Sequence, residues 1–270
     1  MKEITPAESK QLMIEVLEAY ATFCDTHHLR YYLTYGTLLG AIRHQGFIPW
    51  DDDVDVMMPR PDYEKFLDLT KNGLGFKMKV DSFKTNPKYI YPYAKVIHED
   101  TLVIEEFYNY NTGVYIDIFP VDGLPTEAQE RAAHYEKMAQ TRKFHSLAYR
   151  HKTHWDNPLK NIRMKILIQL IHLYGDHRIL KQIDTLAKSF DYEKCDTVGI
   201  IVWGYGGREA CLKEAMSSSM ELPFEGLSLK APQNTHAWLK QVYGDYMTPP
   251  PLEKRTSTHI SKIFWLDKTQ

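Results

Sequence analysis

Four of the five residues from 51 to 55 are aspartates: Asp51, Asp52, Asp53 and Asp55. Like charges this close repel one another and destabilise a fold unless a cation or basic groups compensate. The alternation says more than the count. Successive side chains of a strand point to opposite faces, so Asp53 and Asp55 project together while Val54 and Val56 enter a core. Two carboxylates on one face of an anchored strand suit a hard divalent cation. Mg²⁺ takes one or two protein carboxylates and fills its shell with water and substrate phosphate oxygens. A solvated acidic loop is the plainer reading of such a run. Phe47, Ile48 and Trp50 before it, and Val56, Met57 and Met58 after it, are wrong for a free loop. A calcium loop of the EF-hand type, counted from Asp53, accounts for Asp55 and Glu64. It puts Met57 and Met58 where a ligand and the tight-turn glycine belong, so that reading fails.

Two further features could complete a site. Gly36-Thr37 separates a short strand pattern over residues 31–34 from a helix pattern over residues 37–44 that Gly46 closes. Such a junction aims backbone N–H groups and the positive end of a helix at an anion. Asp117 stands alone in an apolar strand pattern over residues 114–119. Tyr115 and Phe119 share its face, and Ile116 and Ile118 take the other. Burying that carboxylate unpaired is costly. It needs a structural partner such as an arginine, or else it serves as a third carboxylate that ligates metal or accepts a hydroxyl proton.

The segment GTLLGAIRHQGFIPWDDDVDVMMPRPDYEKF resembles the signature of the LicD family of phosphocholine transferases, which fukutin and the fukutin-related protein share within the nucleotidyltransferase superfamily. The resemblance is dense over residues 31–66 and fainter at residues 93–96, 115–120 and 243–247. It implies a Gly-Ser/Thr turn at Gly36-Thr37, and a metal pair at Asp53 and Asp55. Asp117 would be the third carboxylate, completing the metal site or taking the acceptor proton. The zinc-binding cysteines of the fukutin-related protein have no counterpart, so the bacterial type is the better match. The implied reaction moves phosphocholine from CDP-choline to a sugar hydroxyl of a teichoic-acid or lipopolysaccharide precursor, with Mg²⁺ or Mn²⁺ on the diphosphate. Gly36-Thr37 with Arg43 or Lys95 would neutralise phosphate charge, and Asp51 and Asp52 would lie against the substrate. Lys95 sits in a strand pattern between Ala94 and Val96, where a lysine is otherwise an edge residue with its head in solvent. Trp50, Trp203, Tyr205 and Tyr246 are candidate aromatic walls for the quaternary ammonium group.

These residues need a sheet to hold them. The expected fold is α/β: a nucleotidyltransferase-like mixed sheet flanked by helices over residues 1–125, a helical segment over 126–192 and a C-terminal cover over 193–270. Thr5-Pro6-Ala7-Glu8 is a capping box with proline at the first helical position. It opens a helix whose Leu12, Met13, Val16, Tyr20 and Phe23 recur at helical spacing and pack on the sheet. Pro61 and Asp62 open a further helix over residues 63–71. Strand patterns follow at residues 76–83, 93–98 and 101–105, with breaks in the helical segment near Asn157 and Gly175.

The 33 basic and 35 acidic side chains nearly balance, which excludes a general attraction to nucleic acid. Cys24, Cys195 and Cys211 show no metal-ligand spacing and read as free thiols of a reducing compartment. No leader pattern opens the chain and no apolar run reaches a membrane span. The expected location is therefore cytoplasmic. Arg142, Lys143, Arg150, Lys152, Lys160 and Arg163 form a basic segment suited to peripheral contact with an anionic membrane or a phosphorylated, lipid-linked glycan acceptor. Two other classes stay open: an Asp-x-Asp glycosyltransferase using a nucleotide sugar, and a nucleotide-binding module without turnover.

Overall fold

The computed structural model describes residues 1–104, 110–149, 158–255 and 262–267. The expected strand end at Glu105, the break near Asn157, and Arg150 and Lys152 lie outside them. In chain order the elements begin with β1 (Lys2–Glu3), α1 (Pro6–Thr26), β2 (Tyr32–Leu33), α2 (Tyr35–His44), β3 (Asp55–Pro59) and α3 (Arg60–Leu69). β4 (Met78–Asp81), β5 (Ala94–His98), β6 (Thr101–Ile104) and β7 (Tyr115–Leu124) follow, and then the helices α4 (Ala128–Tyr149), α5 (Pro158–Tyr174) and α6 (Asp176–Ala187). The remainder supplies β8 (Thr197–Ile200), β9 (Cys211–Leu212), β10 (Ser219–Phe224), β11 (Leu227–Pro232), α7 (Thr235–Tyr243) and β12 (Lys262–Trp265).

The main sheet is mixed and runs β2-β3-β7-β5-β4, with β8 also on β7 and β9 on β8. Its centre is the parallel pair β3–β7. Strands buried on both faces read as continuous apolar runs rather than alternations. Val56, Met57 and Met58 of β3 and Ile116, Ile118 and Val121 of β7 are accordingly all buried. Helices cover the pair: α1 packs on β5 and β7, and α3 packs on β3 and β7. α1 begins as expected, with the Thr5 N–H donating to Glu8 Oε2 (2.8 Å) and the Glu8 N–H donating to Thr5 Oγ1 (3.2 Å).

β7 is longer than its apolar stretch. Its first half pairs antiparallel with β5, and its second half pairs antiparallel with β8, which returns from beyond the helical segment. Asp122 in that second half is buried and held by Arg60 at the start of α3, through Nε to Oδ1 (2.6 Å) and Nη2 to Oδ2 (2.8 Å). Arg60 Nη1 also donates to Asp184 of α6 (3.0 Å), so one guanidinium joins helix, strand and helical segment. Two boundaries differ from expectation. α2 starts two residues early, at Tyr35, and its closing left-handed residue is Gln45 (φ 54°) rather than Gly46. The break at Gly175 (φ 102°) separates α5 from α6 as expected. β12 joins β1 and β6 in a separate three-stranded sheet.

Candidate active site

The register of the sheet puts three charged residues abreast. Asp55 on β3 pairs with Asp117 on β7, and Asp117 pairs with Lys95 on β5. The Lys95 ammonium donates to Asp117 Oδ1 at 2.5 Å. Lys95 is not an edge lysine: it is 1 % exposed, on an inner strand. Its Nζ lies 3.3 Å from the ring centre of Tyr115 and 4.5 Å from that of Tyr91, where the π faces attract a cation.

The acidic run is only partly a strand. β3 begins at Asp55, and Asp51, Asp52 and Asp53 precede it in a loop that brings one carboxylate oxygen of each within 4.8 Å of the others. The expectation that Asp53 and Asp55 share a strand face therefore gives way to a loop cluster beside a strand carboxylate. A Cβ at Gly36 would collide with the Asp51 carboxylate, so glycine there lets the loop close against α2. Burial, and then the charges of Asp53, Asp117 and Asp51, push the Asp55 carboxyl well above its usual range, while Lys95 pulls the other way. Such an all-oxygen set with excess negative charge fits a hard cation of the Mg²⁺ or Mn²⁺ kind and is unlike a zinc site.

Asp51, Asp53, Asp55, Asp117, Lys95 and Gly36 line one cavity of about 590 Å³. Aromatic rings also line it, in an unbroken series. Tyr243 meets Tyr205 (5.5 Å between centroids), Tyr205 meets Tyr35 (5.8 Å), and Tyr35 meets Phe119 (5.3 Å). Phe119 meets Tyr93 (4.5 Å), and Tyr93 meets Trp203 (5.5 Å). The Arg142 guanidinium of α4 stacks over Trp203 at 5.1 Å and lines the same cavity.

Not every expected residue reaches it. The Thr37 hydroxyl accepts from the Asp55 N–H (2.8 Å), so it ties α2 to the acidic strand instead of facing the cavity. Gly36 does line the cavity, at the first turn of α2, and no side chain caps that end at Thr34. Arg43 donates to the Tyr246 carbonyl (2.9 Å), away from the cavity. Trp50 lies under Arg255 (5.2 Å) and, with Asp52, lines a separate groove. The Tyr246 hydroxyl is bonded to His236. Trp203 and Tyr205 are the two expected aromatics that converge on the carboxylates.

Sequence reasoning missed Glu209. It is fully buried, accepts from the Tyr35 hydroxyl, and accepts from the Tyr205 (2.8 Å) and Gly206 (3.1 Å) N–H groups. A side chain at Gly204 (φ 85°) would collide with both Glu209 and the Tyr35 hydroxyl. Glu209 thus fixes the loop that carries Trp203 and Tyr205 and orients Tyr35, itself held at an unusual φ of 45°. Burial pushes its carboxyl up to about 8. Tyr35, Tyr93, Tyr243 and Arg142 were also missed as cavity residues. The glycines beside aromatics at residues 203–207 marked only the segment that carries Trp203 and Tyr205.

Residues 28–166 match the family model described as LicD/FKTN/FKRP, nucleotidyltransferase domain. The chain is 28 % identical over 272 residues to the lipopolysaccharide cholinephosphotransferase LicD of Haemophilus influenzae, covering 98 % of this chain and 100 % of that protein. Shorter likenesses join it to two uncharacterized proteins: one of Rickettsia typhi is 39 % identical over 74 residues and 24 % of each chain. One of Rickettsia prowazekii is 48 % identical over 48 residues, 16 % of this chain and 18 % of the other.

Proposed function

The chain belongs to the LicD/FKTN/FKRP nucleotidyltransferase-domain family, and from that premise we propose that it transfers phosphocholine from CDP-choline to a sugar hydroxyl of a cell-envelope glycan. The observation that carries this reading is the row Asp55–Asp117–Lys95, set between an acidic loop and an aromatic wall in one cavity. The relative that spans the whole chain is a cholinephosphotransferase acting on lipopolysaccharide, which supports both the group moved and a glycan acceptor.

The acceptor oxygen forms a bond to the phosphorus of the phosphocholine group, the bond to the bridging oxygen breaks, and CMP leaves with the electron pair. Asp53, Asp55 and Asp117 are the residues we assign to hold a divalent cation, with Asp51 beside them. Mg²⁺ or Mn²⁺ bound there would neutralise the diphosphate and the charge that builds on the leaving oxygen. Arg142 and the uncapped end of α2 at Gly36 bring positive charge to the non-bridging oxygens. Lys95 holds Asp117 in place and offsets part of the carboxylate charge. We also assign Asp117 to take the acceptor proton, a role worth about 10²–10⁴-fold in rate. The wall of Tyr35, Tyr93, Trp203 and Tyr205 offers the π faces that a trimethylammonium group needs.

Nucleotide release tests the reading. With a divalent cation and glycan acceptors of lipopolysaccharide and teichoic-acid type, CDP-choline should yield CMP, and chelation should stop it. Release of UDP from a UDP-sugar would instead make the protein a glycosyltransferase. Failure with every donor would leave a nucleotide-binding module without turnover.

A further inference from the structure

α5 carries an unusual outer face. Leu159, Ile162, Ile166, Leu170 and Leu173 are spaced three and four residues apart, so they form one stripe along the helix. They are 69, 57, 56, 56 and 83 % exposed. Scattered exposed leucines need no explanation, but a continuous stripe marks an interaction surface. The helix is not loose: Ile171 on its inner side is buried, Leu167 packs on the core, and α4 and α6 lie against it.

The charge on α5 says what the stripe meets. Its 17 residues include Lys160, Arg163 and Lys165 and no aspartate or glutamate. An apolar stripe on a helix whose lysine and arginine side chains have no acidic counterpart on the same helix is the pattern of a helix lying in the headgroup layer of an anionic bilayer. At 1.5 Å per residue the helix is about 25 Å long, and no described helix is long and apolar enough to cross a membrane. We propose that α5 docks this protein on the surface of an anionic phospholipid membrane, with the Leu159–Leu173 stripe in the acyl boundary and Lys160, Arg163 and Lys165 among the headgroups.

This narrows the membrane contact expected from the basic segment to its part on α5, which holds Lys160 and Arg163 and adds Lys165, while Arg142 belongs to the cavity. The link to function is short, because α4 places Arg142 in the cavity and packs along α5. Docking α5 holds the cavity at the surface where a lipid-linked acceptor would lie, a consequence that rests on the transferase reading; the docking itself does not.

The test is co-sedimentation with vesicles of phosphatidylglycerol and phosphatidylethanolamine, against vesicles of phosphatidylcholine alone. The parent protein should bind the anionic vesicles preferentially. Ile166→Glu with Leu173→Glu should lower the partition by about tenfold or more, since it removes buried apolar area and adds like charge. Lys160→Gln with Arg163→Gln and Lys165→Gln should lose the anionic preference. Circular dichroism and the melting temperature check that each variant folds, and turnover of a delipidated oligosaccharide should be unchanged. Two results would overturn the proposal: a parent that ignores anionic vesicles, or a folded I166E/L173E variant that binds them as the parent does. A parent dimer that this variant dissolves, without vesicle binding, would make the stripe a self-association surface instead.

Discussion

Burial, and then the charges of Asp53, Asp117 and Asp51, raise the proton affinity of Asp55, and Lys95 opposes them. A carboxyl whose folded pKa is raised contributes stability that is complete below the ordinary carboxylate range and is lost as pH rises through the folded value. The metal-free protein should therefore melt at lower temperature as pH rises above that range. Asp55→Asn should flatten the trend and raise the metal-free melting temperature at neutral pH. Mg²⁺ or Mn²⁺ should raise the melting temperature of the parent and leave the variant unmoved, and a thermal-shift series with and without cation reads both effects. Glu209 obeys the same sign at a stated position: its contribution is full below 4.5 and lost as pH approaches about 8. Glu209→Gln should be flatter across that window. The two acids differ in how they showed in the sequence. Four aspartates in five residues are a local signal. A single glutamate after two glycines is not, because its importance comes from Tyr35, far away in the chain, reaching it.

Single hydrogen bonds decide how the elements hold the site. The Thr37 hydroxyl satisfies the buried N–H of Asp55, joining α2 to β3. Thr37→Val would leave that donor unpaired at a cost of about 1–3 kcal/mol, and turnover should fall further than stability. Comparing kcat with the denaturation midpoint measures the split. Arg60 serves the larger framework. Arg60→Ala would strand Asp122, buried beside it, and a broken buried ion pair costs about 3–5 kcal/mol, which urea unfolding would detect. The capping box of α1 and the break at Gly175 were legible because both are written in adjacent residues. The second half of β7 was not. Pro120, Asp122 and Gly123 each argue against a strand. They are tolerated because Arg60 neutralises Asp122 and because Gly123 lies where a side chain would meet the backbone of Phe190 and Asp191. The start of β3 at Asp55 was missed for a related reason. Alternation of Asp and Val fits a strand, but repulsion among three neighbouring carboxylates is relieved better in a loop.

The whole molecule assembles its cavity from separate stretches: the start of α2, the acidic loop with the start of β3, β5 and the residues before it, β7, α4, the loop at 203–205 and α7. The carboxylate side was legible because its residues cluster in sequence and its family signature is dense. The aromatic side was only half legible, since Trp203 and Tyr205 converge on Tyr35 and Tyr93 through tertiary packing that no local pattern records. On the proposed reading, that convergence would distinguish a choline-bearing donor from a plain nucleotide diphosphate. It also sets a specificity prediction. Tyr205→Ala should raise KM for CDP-choline more than for CDP-ethanolamine, whose primary ammonium relies less on π faces, and steady-state kinetics with both donors measures the difference.

The most direct measurement is mass spectrometry of a phosphocholine-free lipopolysaccharide oligosaccharide after incubation with the protein, CDP-choline and Mg²⁺. The account predicts the gain of one phosphocholine unit on the glycan, matched by CMP, with no gain when Asp55→Asn replaces the parent. An unmodified oligosaccharide with the parent protein, or equal modification by Asp55→Asn, would contradict it.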